Sequence, residues 1–132
     1  MSGVRVLVTG GSGGIGQGIC TVVAREGADV AFTWHGNKAG ADATENIVRE
    51  LGRKCLPIQA DLRDAQAAGK VVAAVEESWG AVDTLVNNAA FSEAVPFILI
   101  DDEDFADVFA VRLFFKPATI TTKNFPKFFG KP

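Results

Sequence analysis

The chain has no tyrosine in its 132 residues. No phenol is therefore available as a proton donor anywhere along it. Cysteine is scarce as well. Cys20 and Cys55 stand far apart, in no metal-ligand spacing, and both lie in apolar segments. They read as buried thiols in a reducing, cytoplasmic compartment. Apolar runs stay far short of the ~20 residues that a membrane span requires, so no membrane partner is expected. Met1-Ser2-Gly3-Val4-Arg5 leads straight into a strand-like segment, so no signal peptide is expected. A net charge of −3 speaks against nucleic acid as a partner. No internal repeat or low-complexity segment is visible.

What is present is an ordinary globular composition, 48% apolar and 22% charged, at a length that allows one domain at most. Charge is unevenly placed. Residues 1–111 hold 8 Lys/Arg against 16 Asp/Glu, whereas residues 112–132 hold 5 Lys/Arg and no acid. Nine of the ten phenylalanines fall from Phe91 onward. Residues 91–132 thus read as a Phe-rich extension, expected to be helical, on the domain formed by the rest of the chain.

Along the chain, two hydrophobic periods alternate. Residues 4–10, VRVLVTG, form a β-branched run ending in glycine, as a strand buried on both faces does. A helix follows over 14–28, with Ile15, Ile19, Val22 and Val23 at helical spacing and closure at Gly27. Strands are expected at 29–34, 55–62 and 82–90. Between them, helices are expected at 37–54, facing in through Ile47, Val48 and Leu51, and at 64–80, facing in through Val71, Val72, Val75 and Trp79. Past residue 90 the pattern changes to an apolar loop and an acid-led segment with Phe105, Val108, Phe109 and Val111; Pro117 can start a further helix. Alternation of this kind predicts an α/β fold with a parallel, doubly wound sheet and helices on both faces.

The first strand-to-helix turn, VTGGSGGIGQG at 8–18, is glycine at six of eleven positions. Its context makes the pattern meaningful, because a buried strand precedes it and an amphipathic helix follows. Gly10 permits the tight turn, Gly14 lets backbone approach a pyrophosphate, and Gly16 lets the helix pack close to the strand. The helix N-terminus offers unpaired N–H groups and partial positive charge to phosphates. Thr9 and Ser12 can add hydroxyl hydrogen bonds. No Gly-Lys-Ser/Thr follows, which rules out a P-loop. The plain alternative is a glycine-rich turn without a ligand.

Three motifs in register resemble the short-chain dehydrogenase/reductase family, in its N-terminal part. Thr9-Gly10-Gly11-Ser12-Gly13-Gly14-Ile15-Gly16 is similar to the family's TGxxxGIG. Asp61-Leu62 falls where the family has its adenine-contacting Asp, and Leu85-Val86-Asn87-Asn88-Ala89-Ala90 resembles LVNNAG. Val111-Arg112-Leu113 sits where the family has Val-Asn-Leu, and TTKNFPKF resembles the helix segment after it. Within the family the likeness is greatest to ketoacyl-reductase and sugar-dehydrogenase types. Together with the alternation, it implies an incomplete Rossmann-like sheet of four strands in the order 3-2-1-4, and a cofactor site made of Gly10, Ser12, Gly13, Gly14, Ile15, Gly16, Trp34, His35, Asp61, Leu62, Asn88, Ala89 and Ala90. Three departures stand out. Ala90 replaces a glycine, at a cost of roughly 1 kcal/mol if the position needs a positive φ. Arg112 replaces the Asn of the family's catalytic set. The family's catalytic Ser and Tyr-x-x-x-Lys have no counterpart here, so the chain is expected to be truncated before them and inactive alone.

Cofactor choice turns on the end of the second strand. A carboxylate there would bind a ribose 2′-hydroxyl and select NAD. Here the segment reads Thr33-Trp34-His35-Gly36-Asn37-Lys38, and the first acid is Asp42. His35, Asn37 and Lys38 can instead receive a 2′-phosphate, which favours NADP over NAD. Asp61 can alternatively cap the next helix, and Asn88 can simply tie strand ends together. Two functions are consistent with these residues. One is the NADP(H)-binding portion of a reductase whose chemistry comes from a complementing catalytic chain. The other is a non-catalytic nucleotide-binding or assembly module. In either case an open sheet edge and the Phe-rich tail predict a homo-oligomer.

Overall fold

β-branched and apolar residues dominate Arg5–Val8 and Asp29–Trp34, and these segments form the two central strands of a parallel sheet. The computed structural model describes residues 1–90. Its elements in chain order are β1 (Arg5–Val8), α1 (Gly14–Arg25), β2 (Asp29–Trp34), α2 (Lys38–Glu50), β3 (Cys55–Gln59), α3 (Ala67–Trp79) and β4 (Thr84–Val86). The spatial order is β3-β2-β1-β4, with every pairing parallel. Val6 lies opposite Val30 on one side and Thr84 on the other. The expected order and strand direction are therefore observed. The Phe-rich extension, Arg112 and the TTKNFPKF segment lie outside the described residues.

Side-chain alternation divides the core in two. Val6, Val8, Val30 and Phe32 point to one face and pack against Cys20 and Ala24 of α1 and Ala41 and Val48 of α2. Leu7 and Ala31 point to the other face, against Ala68, Val71 and Val75 of α3. Helices thus cover both faces, as continuous apolar strands require. Each of these large buried side chains contributes about 1.5–3 kcal/mol. Pro57 in β3 has no N–H to give to a ladder, and it sits on an edge strand, where that loss is tolerated.

Several expected details differ. β1, β3 and β4 are shorter than the apolar runs that contain them, because the chain turns toward the helices as soon as pairing ends. α3 begins at Ala67 rather than 64, after a turn in which Asp64 Oδ1 accepts from the Gln66 N–H at 2.8 Å. α2 ends at Glu50, short of 54. The inward stripe of α1 is Gly16, Cys20 and Ala24, flanked by Ile19 and Val23. Ile15 and Val22 are exposed at 77% and 58%. Small residues win the inward positions because α1 lies close against the sheet, leaving no room for larger ones. Leu51 is also exposed, and Val48 takes the core position in α2. No non-glycine residue among those described has a positive φ. Ala90 therefore carries no left-handed penalty.

Candidate functional site

The carboxyl ends of β1, β2, β3 and β4 surround a cleft of about 560 Å³. Such clefts in open α/β sheets form where the strand order reverses, here between β1 and β4. Every residue of the expected cofactor set lines it, from Gly10 to Gly16 through Trp34, His35, Asp61 and Leu62 to Asn88, Ala89 and Ala90. Gly36, Asn37, Ala60 and Arg63 line it too.

The glycine turn is built by exclusion. Gly10 has φ +71°, and a Cβ there would stand 3.0 Å from Ala89 Cα. A Cβ on Gly16 would overlap the carbonyl oxygen of Gly10 and come within 2.8 Å of Asn88 Nδ2. Gly13 and Gly14 are the opposite case, since a Cβ on either would meet nothing within 4 Å. Their backbone faces the cleft bare. α1 starts here without a side-chain cap, and its first bond inside the described turn is Gln17 N to Gly13 O at 2.7 Å. The N–H groups from Ser12 to Gly16 thus remain available to an anion.

Backbone and side-chain hydrogen bonds hold this turn on three sides. From β2, Thr33 Oγ1 accepts from Gly10 N at 3.0 Å, and Thr33 O accepts from Gly11 N at 2.8 Å. From the end of β4, Asn88 Nδ2 donates to Thr9 O and Gly10 O at 3.0 and 3.2 Å. From α2, Thr44 Oγ1 donates to Gly11 O at 2.9 Å, and Asn37 Nδ2 donates to Ser12 O at 3.1 Å. Thr9 does not offer its hydroxyl to the cleft as expected. It is buried, and Oγ1 accepts from the N–H groups of Asn88 and Ala89, each at 2.9 Å.

Around the far end of the cleft, charges are paired. Arg63 Nε and Nη2 donate to Asp61 Oδ1 and Oδ2 at 3.0 and 2.8 Å. The Arg63 side chain, aided by its backbone N–H, holds the Asp61 carboxyl down at about 2. Asp61 therefore makes a local turn with Arg63 and does not cap α3, whose N-cap is Gln66. Of the three expected 2′-phosphate groups only His35 stands at the cleft with its side chain bonded to none of the described residues. Asn37 spends both amide atoms, accepting from Gly40 N as well as donating to Ser12 O. Lys38 lies outside the lining and pairs with Asp42 at 2.9 Å. Among the described residues, Asp61 is the sole carboxylate in the lining. Arg63, Thr33 and Thr44 were not singled out from the sequence. Thr44 had a readable signal, because a threonine falls on the inward stripe Ala41-Thr44-Val48 of α2.

Neither cysteine touches the cleft. Cys20 is buried, Cys55 half-buried, and burial pushes both thiols up to about 12. Such thiols are inert at neutral pH. Among the described residues no cluster of His, Cys, Asp or Glu could hold a metal ion. No described helix is long and apolar enough to cross a membrane.

With this geometry in place, the comparison with known proteins is decisive: the model of the short chain dehydrogenases matches residues 4–128. The chain belongs to the short-chain dehydrogenase family. This short-chain dehydrogenase chain is 37% identical over 114 residues to an uncharacterized oxidoreductase of Methylorubrum extorquens, covering 86% of its own length and 46% of that protein. It is 31% identical to the sorbitol dehydrogenase of Cereibacter sphaeroides, covering 86% of itself and 43% of the relative. Among solved structures, a short-chain dehydrogenase of Burkholderia cenocepacia in complex with NADP superposes with TM-score 0.79 at 39% identity, covering 83% of this chain and 45% of that one. A blue fluorescent protein from a metagenomic library, in complex with NADPH, gives 0.78 at 35% identity over the same shares. The chain spans less than half the length of the curated relatives it matches.

Proposed function

We propose that this short-chain dehydrogenase chain binds a nicotinamide dinucleotide in the cleft and forms the cofactor-holding portion of an oxidoreductase. One observation carries the reading. The backbone of Gly13 and Gly14 is bare toward the cleft, at the uncapped N-terminus of α1, beside a switch in strand order. The bound group supplies a hydride donor or acceptor. The chain's own part is to hold and orient it. The N–H groups of the turn and of the first turn of α1 take the pyrophosphate. Asp61 and Leu62 border the adenine, Trp34 and His35 the adjoining ribose, and Asn88, Ala89 and Ala90 the other half.

NADP is the favoured form. No carboxylate stands at the end of β2, and the His35 imidazole lines the same end of the cleft. The Burkholderia cenocepacia and metagenomic relatives, solved with NADP and NADPH, support the same choice. Carbonyl or hydroxyl compounds are the substrate class that the named relatives suggest, and the reacting groups come from outside these 132 residues. β4 is the edge of the four described strands, and its residues are only half-buried. That supports self-association, expected to appear in light scattering as a mass well above the 13.9 kDa of one copy.

Titration of NADPH fluorescence tests the binding. Saturable enhancement on adding protein is the expected result. Folded protein that binds nothing at millimolar nucleotide overturns the reading, and NADH binding tighter than NADPH overturns the preference.

A further inference from the structure

α2 carries a three-residue device aimed at the glycine turn. Asn37, its N-cap, accepts from Gly40 N through Oδ1 at 2.9 Å and donates from Nδ2 to Ser12 O at 3.1 Å. At Gly40 the helix comes so close that a Cβ would overlap both Ser12 O and the Asn37 amide. One turn on, the fully buried Thr44 donates to Gly11 O at 2.9 Å, sharing that proton with Gly40 O. Gln17 of α1 donates to the same hydroxyl at 3.1 Å, which leaves the hydroxyl proton to the carbonyls. Two successive carbonyls of the turn, Gly11 and Ser12, are thereby held toward α2.

Peptide geometry gives this a consequence. The described peptides are all trans, so a carbonyl fixed in one direction sends the following N–H in the other. Holding Gly11 O and Ser12 O on α2 turns the N–H groups of Ser12 and Gly13 away from α2. Both residues line the cleft, and neither N–H finds an acceptor among the described residues. An unpaired pair of successive N–H groups is a concave anion site, but only if the chain does not rotate. A glycine turn resists rotation poorly by itself.

We infer that Asn37, Gly40 and Thr44 are positioning residues, which lock the turn so that the Ser12 and Gly13 amides stay presented to a pyrophosphate. This rests on the nucleotide-binding reading above. Asn37 therefore serves the pyrophosphate end rather than the 2′-phosphate, although it follows the His35-Gly36 segment that borders the ribose.

The test compares the full chain with Thr44→Val, Thr44→Ser, Asn37→Ala and Gly40→Ala. Two ligands are titrated, NADPH by fluorescence and adenosine 2′-monophosphate, which has no pyrophosphate, by calorimetry or amide shifts. Thr44→Val and Asn37→Ala should weaken NADPH roughly tenfold, the effect of a lost hydrogen bond to a polar group that then goes unpaired. Thr44→Ser keeps the hydroxyl and should rescue. Adenosine 2′-monophosphate should bind all folded variants as it binds the parent. Asn37 is exposed, so its variant remains folded even if Thr44→Val does not. Equal loss for both ligands, or NADPH binding unchanged in Asn37→Ala and Thr44→Val, overturns the inference alone. A parent chain that binds neither ligand overturns the functional reading and this inference together.

Discussion

Asn88 donates to Thr9 twice. Its backbone N–H reaches Thr9 Oγ1 at 2.9 Å, and its side-chain Nδ2 reaches Thr9 O at 3.0 Å. With a second bond from Nδ2 to Gly10 O, one side chain holds the end of β4 on the turn after β1. Asn88→Ala should lower stability by about 1–2 kcal/mol, since half-buried carbonyls lose their donor. Asn88→Asp should be worse at neutral pH, because a carboxylate would face two carbonyl oxygens. Urea unfolding at pH 7 measures both.

Gly14 and Gly16 are two residues apart and should behave oppositely. In Gly16→Ala the methyl overlaps Gly10 O, so α1 must move, at about 3 kcal/mol, and nucleotide binding goes with it. In Gly14→Ala the methyl meets no protein atom and alanine suits a helix start, so the melting temperature should hold or rise slightly. The same methyl enters the space assigned to the pyrophosphate, and NADPH should bind at least roughly tenfold more weakly. Thermal unfolding and NADPH fluorescence on the two variants separate the effects.

Cofactor choice should respond to one carboxylate at the end of β2. His35→Asp places an acceptor where a ribose 2′-hydroxyl is read and a negative charge where a 2′-phosphate would sit. NADPH affinity should fall and NADH affinity should hold or rise, so the ratio of the two dissociation constants moves toward NADH.

Arg5 and Asp83 join β1 to the start of β4, with Nε–Oδ2 at 2.8 Å and Nη2–Oδ1 at 3.1 Å. Hydrogen bonding to Arg5 holds the Asp83 carboxyl below its ordinary value. A depressed carboxylate stabilises the fold above the unfolded aspartate value of about 4, and the contribution fades as pH drops through the folded value. Asp83→Asn should therefore cost about 1 kcal/mol at pH 7, with the gap to the parent chain closing below about pH 4. Paired denaturation curves from pH 3 to 7, in about one-unit steps, check the sign.

These 132 residues contain no tyrosine, so the phenolic acid implied by the family likeness is missing from them. Removal of a general acid alone costs about 10²–10⁴ in rate. The purified chain should give no ketone-dependent NADPH oxidation above the uncatalysed rate.

Much of this architecture was legible beforehand. Alternating strand and helix periods predicted a parallel sheet with helices on both faces, and the likeness of three motifs to the short-chain dehydrogenases added the 3-2-1-4 order and the residues that meet at the carboxyl end. Hydrophobic period is a local property, and a parallel sheet brings every strand's carboxyl end to the same side. The helix faces were less legible. Ile15 and Val22 look like core residues at helical spacing, yet Gly16, Cys20 and Ala24 face the sheet. Apolarity ranks residues by transfer from water, whereas contact at close range is ranked by size.

The sequence by itself determined the order of elements, the chemistry available to them and, through the absence of tyrosine, one reaction group that they lack. Which polar side chains spend themselves on the fold was decided only by tertiary structure. Asn37 and Lys38 both follow β2 as candidate phosphate ligands, but Asn37 is tied to Ser12 and Lys38 to Asp42. Thr9 looked ready to contact phosphate, and it instead holds the backbone of Asn88 and Ala89. A hydrogen bond depends on a partner placed to within a few tenths of an ångström. For Thr9 that partner lies about eighty residues away and arrives only when β4 pairs with β1.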